Sequence, residues 1–366
     1  MLWIAPWVAG DMAKYAQRRN FGVPGQVEGK PDRVLVDFTH TAGREWWQQY
    51  GPFNPLWVGA AEFRLDRADE FVPGTLASKV ASGTTDRENH NAYPVQYMAT
   101  VWEVANGARK KDFALTARAA YTGSTQYGTV WGGEMPSTPE GLRAAIIALQ
   151  GCAVLGYPVW GSDVGGHGEG PLDPELTARW LAFGCFSPIM QVGPTRGRAF
   201  WNMSGDSRFD RELIATWRLY ATLHDRLAQY SVKQAKAAHK KGTPIVSPLF
   251  LAYPDQPEAW SQWDSYLYGP DLLLKTLWRK GLKEATVWLP QGDTWIDAWD
   301  PQKVYKGGQR VKVATPTHKI PIFMRRGSDL KLGDLNELYK ESYKLTRKPP
   351  DLAALQKAAF GKSPEE

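Results

Sequence analysis

One stretch, Ala114 to Gly166, constrains the fold of this chain more than any other. Two short apolar runs within it end in polar, glycine-flanked corners: Thr129-Val130-Trp131-Gly132-Gly133-Glu134 and Tyr157-Pro158-Val159-Trp160-Gly161-Ser162-Asp163. Between them, Pro139 to Leu155 predicts a helix, with Ser137 or Thr138 as N-cap and Glu140 in the first turn. The order is strand, helix, strand, and each strand closes on a carboxylate close behind a tryptophan. A carboxylate at the C-terminal end of a parallel strand is where α/β barrels keep their chemistry. A tryptophan beside it offers a flat apolar face, which suits a sugar ring and equally suits core packing.

The rest of the first 240 residues repeats this alternation. Leu2–Val8, Arg33–Phe38 (RVLVDF), Ala61–Asp66 (AEFRLD), Asp112–Arg118 (DFALTAR) and Phe186–Val192 (FSPIMQV) read as further strands. RVLVDF is near-continuously apolar, the pattern of a strand buried on both faces. Gly43–Tyr50, Asn91–Ala105, Pro174–Phe183 and Arg211–Lys240 read as helices. Seven strands with charged C-terminal ends, alternating with helices, predict an α/β fold of the (β/α) barrel type. A doubly wound nucleotide fold needs a phosphate loop, and the glycine-rich run 161–170 matches neither common form. After Gly242 the texture changes to short runs such as IVSPLFLAY, ATVWLP, QRVKVAT and IPIFMRR, separated by Gly, Pro and Asp. These predict a small antiparallel β-sandwich. The expected domains are therefore a barrel over 1–241, a β-sandwich over 242–330 and a helical or frayed basic tail over 331–366.

Charge and composition narrow the function classes. The net charge of +6 comes from scattered lysines and arginines, and the densest run, Lys233 to Lys241, reads as a solvated helix face, so nucleic acid is not expected as a partner. No apolar run approaches the roughly 18 residues of a membrane span. The apolar start MLWIAPWVAG lacks a basic region before it and carries Pro6 in mid-run, so it reads as a buried strand rather than a leader, and the default placement is cytoplasmic. Six histidines without metal-ligand spacing give no expectation of a metal. Cys152 and Cys185 read as buried free thiols. Seventeen tryptophans mildly favour carbohydrate handling.

At these same residues the chain resembles glycoside hydrolase family 31, the retaining α-glycosidases. LWIAPW looks like the second barrel strand of that family, and RVLVDFTH with Trp46-Trp47 looks like the third. FRLDRADE is similar to the nucleophile strand, with Asp66 in the nucleophile's place. ALTARAAYTGSTQYGTVWGGE resembles the stretch that carries the active-site arginine and the acid/base, here Arg118 and Glu134. GYPVWGSDVGGH resembles the seventh strand, whose aspartate binds sugar hydroxyls, here Asp163. RWLAFGCFSPIM resembles the run into the eighth, and SPLFLAYPDQP, LYGPDLLL and VWLPQGDTWIDAW resemble the β-sandwich that follows. The resemblance covers about residues 1–330 and implies a TIM barrel, strands 2–8, followed by the sandwich. Three departures stand out. The family acid/base is an aspartate, where this chain has Glu134. The family's Arg-x-His after the eighth strand is replaced by Gln191-Val192-Gly193. The family's N-terminal sandwich and first strand have no counterpart, from which a longer gene product is expected.

The resemblance implies hydrolysis of α-O-glycosidic bonds with retention, on a carbohydrate substrate and without a cofactor. Retention needs two carboxyl groups about 5 Å apart. Asp66 fits the nucleophile, with Arg64 and Arg67 expected to keep it ionised, and Asp69 and Glu70 are fallback nucleophiles or loop-orienting groups. Glu134 fits the acid/base. Arg118 and Asp163 are expected to contact sugar or to form a structural Arg–Asp pair. Trp131, Trp160, Trp201 and Gln191 are expected to line the pocket, and Arg196 and Arg198 carry a weaker expectation of an acidic sugar. A transglycosylase with the same carboxylates, and a weak or inactive carbohydrate-binding relative, are the alternatives.

Overall fold

A computed structural model describes residues 1–75, 77–167, 173–192 and 210–346. Trp201, Arg196 and Arg198 lie outside the described residues, as does the chain after Thr346. The chain divides into two units: Met1–Gly133 with Leu155–Gly161, and Glu134–Val154 with Ser162–Glu366.

In the first unit, β1 (Leu2–Ile4), β2 (Glu62–Leu65), β3 (Ala114–Ala117), β4 (Thr129–Trp131) and the start of β5 (Trp160–Asp163) follow one another in a parallel sheet. Each pairs with its predecessor in the chain. That order requires a crossover between strands, and the longest helix in these crossovers is Asp86–Arg109. The helix begins on a reciprocal cap, in which the Thr85 hydroxyl accepts from the Glu88 amide while the Glu88 carboxylate accepts from the Thr85 amide. It is anchored by Tyr93, whose hydroxyl donates to Val36 O (3.0 Å), and by Tyr97, whose hydroxyl donates to Ile4 O (2.9 Å). Phe63, Leu65, Leu115 and Ala117 on the strands and Tyr93, Tyr97, Met98 and Val101 on the helix form one buried core.

Two expectations from the sequence are corrected here. RVLVDF is not a barrel strand: only Val34–Leu35 is extended, and it pairs antiparallel with Trp7–Val8. Among the described residues the parallel sheet therefore has six strands rather than seven. The apolar run is buried all the same, because Val34 to Phe38 fill the core of the long connection after β1. Its one acid, Asp37, is satisfied by the amides of Thr39 (2.9 Å) and Ala81 (2.7 Å). Burial on both sides reads the same for a loop core as for a central strand. The predicted strand Leu2–Val8 likewise splits into β1 and the Trp7–Val8 pair, with Pro6 between them.

In the second unit, the helix Pro139–Val154 follows Glu134, and β6 (Ile189–Gln191) follows the end of β5, with Val164 N–H donating to Gln191 O (2.8 Å). The helix Pro174–Cys185 is capped by Asp173, which accepts from the Leu176 amide, and it is buried from Leu176 onward. Its Arg179 is sunk in the interior, and its guanidinium caps the carbonyls of Lys319 (3.0 Å), Thr315 (3.1 Å) and Leu282 (3.1 Å). The helix Arg211–Lys241 buries Leu213, Thr216, Leu219, Tyr220, Leu223 and Leu227 on one stripe and ends at Gly242, φ +70°.

The C-terminal sheet is antiparallel, in the order Val246–Pro248, Ser265–Tyr268, Leu272–Lys275, Ile322–Arg325, Thr294–Asp297, Val304–Lys306. A second pair, Glu284–Leu289 with Gln309–Ala314, shares its core of Leu267, Leu273, Val287, Leu289, Trp295 and Phe323, which makes the domain a sandwich. Leu335–Leu345 is the last helix among the described residues, capped by Asp334 and packed along Arg211–Lys241. Cys185 is buried, but Cys152 is partly exposed, which corrects the expectation for that thiol.

Candidate active site

The parallel register builds the centre of the first unit. Ile4 lies opposite Leu65, and Leu65 opposite Ala117. One residue further on, the ladder continues through Asp66 N–H to Ile4 O (3.0 Å) and Arg118 N–H to Leu65 O (2.8 Å). Asp66 and Arg118 therefore leave the C-terminal ends of adjacent strands at the same level. Their side chains meet, with Arg118 Nη1 2.9 Å from Asp66 Oδ1. The other carboxylate oxygen, Oδ2, accepts from the Trp3 indole N–H at 2.7 Å, and Oδ1 also accepts from the Arg67 amide at 2.8 Å. Asp66 is 2% exposed.

Arg118 reaches further than one partner. Its Nε donates to Asp69 Oδ1 at 2.9 Å, and its Nη2 lies 3.6 Å from Glu70 Oε1. Burial alone would lower the Arg118 guanidinium, but Asp66, Asp69 and Glu70 outweigh it and raise the group above its ordinary value. Glu70 also takes Arg67 and, at 3.1 Å, Lys30. The chain turns sharply between the two acids because Arg67 adopts a left-handed conformation, φ +66°. Left-handed backbone at a non-glycine residue costs energy and persists only where the surroundings impose it. Here the Asp66 carboxylate imposes it by accepting the Arg67 amide. Of the two arginines expected to hold Asp66, Arg67 does so mainly through its backbone. The Arg64 guanidinium lies 3.4 Å from the ring centroid of Trp131.

Trp131 and Trp160 are buried, at 5% and 1% exposure. Gly133 takes φ +73°, and a Cβ there would stand 3.1 Å from Arg118 Cδ, so this glycine lets the chain pass over the arginine.

The second unit holds Glu134, Asp163 and Gln191. Glu134 is exposed and Asp163 half-buried. The loops that follow the two acids are bound together: His167 N–H donates to Met135 O (2.6 Å), and Ser137 N–H donates to His167 O (2.9 Å). Gly166, φ +75°, allows this approach, since a Cβ there would be 2.8 Å from Ser137 Cα. Asp163 is followed by the Val164–Gln191 backbone bond, so Gln191 lies beside the end of that strand.

The sequence reading missed two features. Trp3 carried no assigned role, although a tryptophan near the end of the strand before Asp66 signals an indole donor within reach. Arg118 reaches the three acids after β2, a set of contacts that sequence reasoning did not assign to it.

A parallel strand–helix sheet with acids at its strand ends, followed by an antiparallel sandwich, defines an α/β-barrel protein with a C-terminal β domain. The family model of the glycosyl hydrolases family 31 TIM-barrel domain matches residues 1–234, and that of the family's C-terminal domain matches residues 242–329. The chain belongs to glycoside hydrolase family 31. It is 29% identical over 304 residues to a 1,3-alpha-isomaltosidase of Kribbella flavida, covering 81% of this chain and 41% of that protein. It is 29% identical over 348 residues to a sulfoquinovosidase of Escherichia coli, covering 90% of this chain and 50% of that one. Among solved structures it is similar to an alpha-xylosidase from a soil metagenome complexed with xylose, with a TM-score of 0.79 and 27% identity over 92% of this chain and 54% of that one. The chain thus spans about half or less of the curated relatives it matches.

Proposed function

We propose that this chain hydrolyses α-O-glycosidic bonds with retention, with Asp66 as nucleophile and Glu134 as acid/base. The observation that carries the reading is the setting of Asp66. It stands at the C-terminal end of a parallel strand, with both oxygens held by Arg118, Trp3 and the Arg67 amide. Asp66 attacks the anomeric carbon as Glu134 gives its proton to the departing oxygen, and a glycosyl ester forms. Water then attacks that ester while the Glu134 carboxylate takes its proton, and the Asp66 carboxylate is released. Arg118 orients Asp66, while Asp163, Gln191, Trp131, Trp160 and Trp201 are proposed to shape the sugar site. The substrate is a carbohydrate, and the relatives named 1,3-alpha-isomaltosidase and alpha-xylosidase support an α-linked one. A sugar in place of water would make the same carboxylates transglycosylate.

Small-anion rescue tests the roles. Asp66→Ala abolishes turnover even of activated aryl α-glycosides, since no glycosyl ester can form. Glu134→Ala keeps the first step on such substrates and slows the second. Azide, which needs no deprotonation, restores turnover in Glu134→Ala, with the α-glycosyl azide as product. Rescue of Asp66→Ala to the α-glycosyl azide, with the β-glycosyl azide from Glu134→Ala, reverses the roles. The second reading is a carbohydrate-binding relative without turnover. Glutamate at 134 and the 2% exposure of Asp66 favour it, and a folded wild type that turns over no α-glycoside establishes it.

A further inference from the structure

The C-terminal domain contains a cavity of about 510 Å³, within the roughly 300–1,000 Å³ of small-molecule sites. None of its lining residues belongs to the strands that end in Asp66 or Glu134. Its wall carries an acid and a base that are not paired with each other. Asp297 is 8% exposed and accepts the Trp299 amide at 2.8 Å on Oδ1. The nearby Lys303 pairs with Asp300 instead, at 3.2 Å. Lys319 donates to Asn336 Oδ1 at 2.7 Å and lies 4.6 Å from the Trp299 ring centroid. Asn336 is fixed in turn, because its amide donates to Trp299 O at 2.7 Å. Burial pushes the Asp297 carboxyl up and the Lys319 ammonium down, and it outweighs the opposing pull of Lys303 on Asp297 and of Asp297 and Asp300 on Lys319.

A carboxylate has about four acceptor sites and an ammonium three donors, so both groups keep spare capacity. The wall is partly open to solvent, with Lys319 and Asp300 half-buried and Lys303 exposed, so an entering ligand can take up that capacity in place of water. An anion would meet Asp297 and Asp300, and a cation would meet Lys303 and Lys319. Vicinal hydroxyls both donate and accept, and they satisfy both groups without net charge. Tyr305, on the same wall, offers a ring to the C–H face of a sugar.

We propose that this cavity is a second, non-catalytic binding site for a neutral sugar. The test uses the full chain and S-linked α-glucosyl, α-galactosyl and α-xylosyl disaccharides as probes. Binding is followed by calorimetry and by hydrogen exchange of residues 297–303 and 316–320. At least one probe protects those segments in the wild type. Asp297→Asn, which keeps the acceptor for the Trp299 amide, and Lys319→Met each weaken that protection by about tenfold or more, the usual effect of losing a charged hydrogen bond. Both variants leave turnover of aryl glycosides unchanged. Should Asp297→Asn fail to fold, Lys319→Met carries the test alone. No protection of these segments by any probe, or equal protection in wild type and Lys319→Met, overturns the proposal.

Discussion

Arg118 holds Asp66 and Asp69 at once, with Nη1 2.9 Å from Asp66 Oδ1 and Nε 2.9 Å from Asp69 Oδ1. The planar guanidinium fork makes this possible, since its donors point in fixed, divergent directions. Without it, three acids that lie within five residues of one another would lose the guanidinium that reaches all three.

Arg118→Lys tests that bridge. Lysine keeps the charge but is a single point donor, so it can satisfy one carboxylate and must release the other. Displacements of about 1 Å at a reacting group cost about 10²-fold in rate. A fall of that order in kcat/KM is expected, with a lowered melting temperature. Arg118→Ala should be worse in stability, by about 3–5 kcal/mol, because Asp66 stays buried without its partner. Denaturant melts of both variants, read beside kinetics on an aryl α-glycoside, decide it. Wild-type kinetics in Arg118→Lys would refute the bridge.

Gly133 makes a second, independent test of how the arginine is seated. An alanine there must hold a left-handed φ, at about 1–2 kcal/mol, and its Cβ would press on Arg118 Cδ. Gly133→Ala should lose stability and activity together. Gly107 supplies the control: it sits in the helix Asp86–Arg109 with open space where a Cβ would go, so Gly107→Ala should gain up to about 1 kcal/mol. Equal melting shifts for the two alanines would contradict the account.

His318 predicts a pH effect. Burial first, then the charges of Lys319 and Arg179, push its imidazole down to about 4. The unfolded chain, near 6.5, therefore binds a proton that the folded chain refuses between pH 6.5 and 4, and stability falls as pH drops through that window. His318 stacks on Tyr339, rings parallel and 3.9 Å apart, a contact that phenylalanine preserves. His318→Phe should lose less stability than wild type between pH 6.5 and 4. Parallel melting-temperature profiles for the two proteins would exclude the effect.

The strand ends were legible in the sequence because an apolar run that stops on a charged residue marks both a strand and its exit, as at Leu65-Asp66 and Ala117-Arg118. Parallel order then brought those exits together. RVLVDF was misread because burial on both faces does not distinguish a barrel strand from the core of a long connection. The contact of the loop after Glu134 with His167 was invisible, since it is made by backbone groups and needs only that Gly166 lack a Cβ. The cavity beside Asp297 was equally hidden: Asp297, Lys319 and Asn336 are far apart in sequence and share no periodicity.

Glu134→Asp shortens the proposed acid/base by one methylene, and the local backbone predicts its effect. On one side Gly133 is set by its left-handed φ. On the other, Met135 and Ser137 are held to His167 by hydrogen bonds of 2.6 and 2.9 Å. A backbone pinned on both sides cannot advance to follow a shorter side chain, so the carboxyl should retreat by about one methylene, roughly 1 Å, at a cost of about 10²-fold. The loss should be largest for substrates with poor leaving groups, where proton donation limits the first step, and small for an activated aryl glycoside in that step. Freeing the backbone should reverse the trend: Gly166→Ala, which drives a Cβ to 2.8 Å from Ser137 Cα, should impair wild type more than it impairs Glu134→Asp. Kinetics on a series of aryl α-glycosides of graded leaving-group acidity measure this directly. Activity in Glu134→Asp equal to or above wild type across the series would mean that the loop does move, and that glutamate is tolerated here rather than fitted.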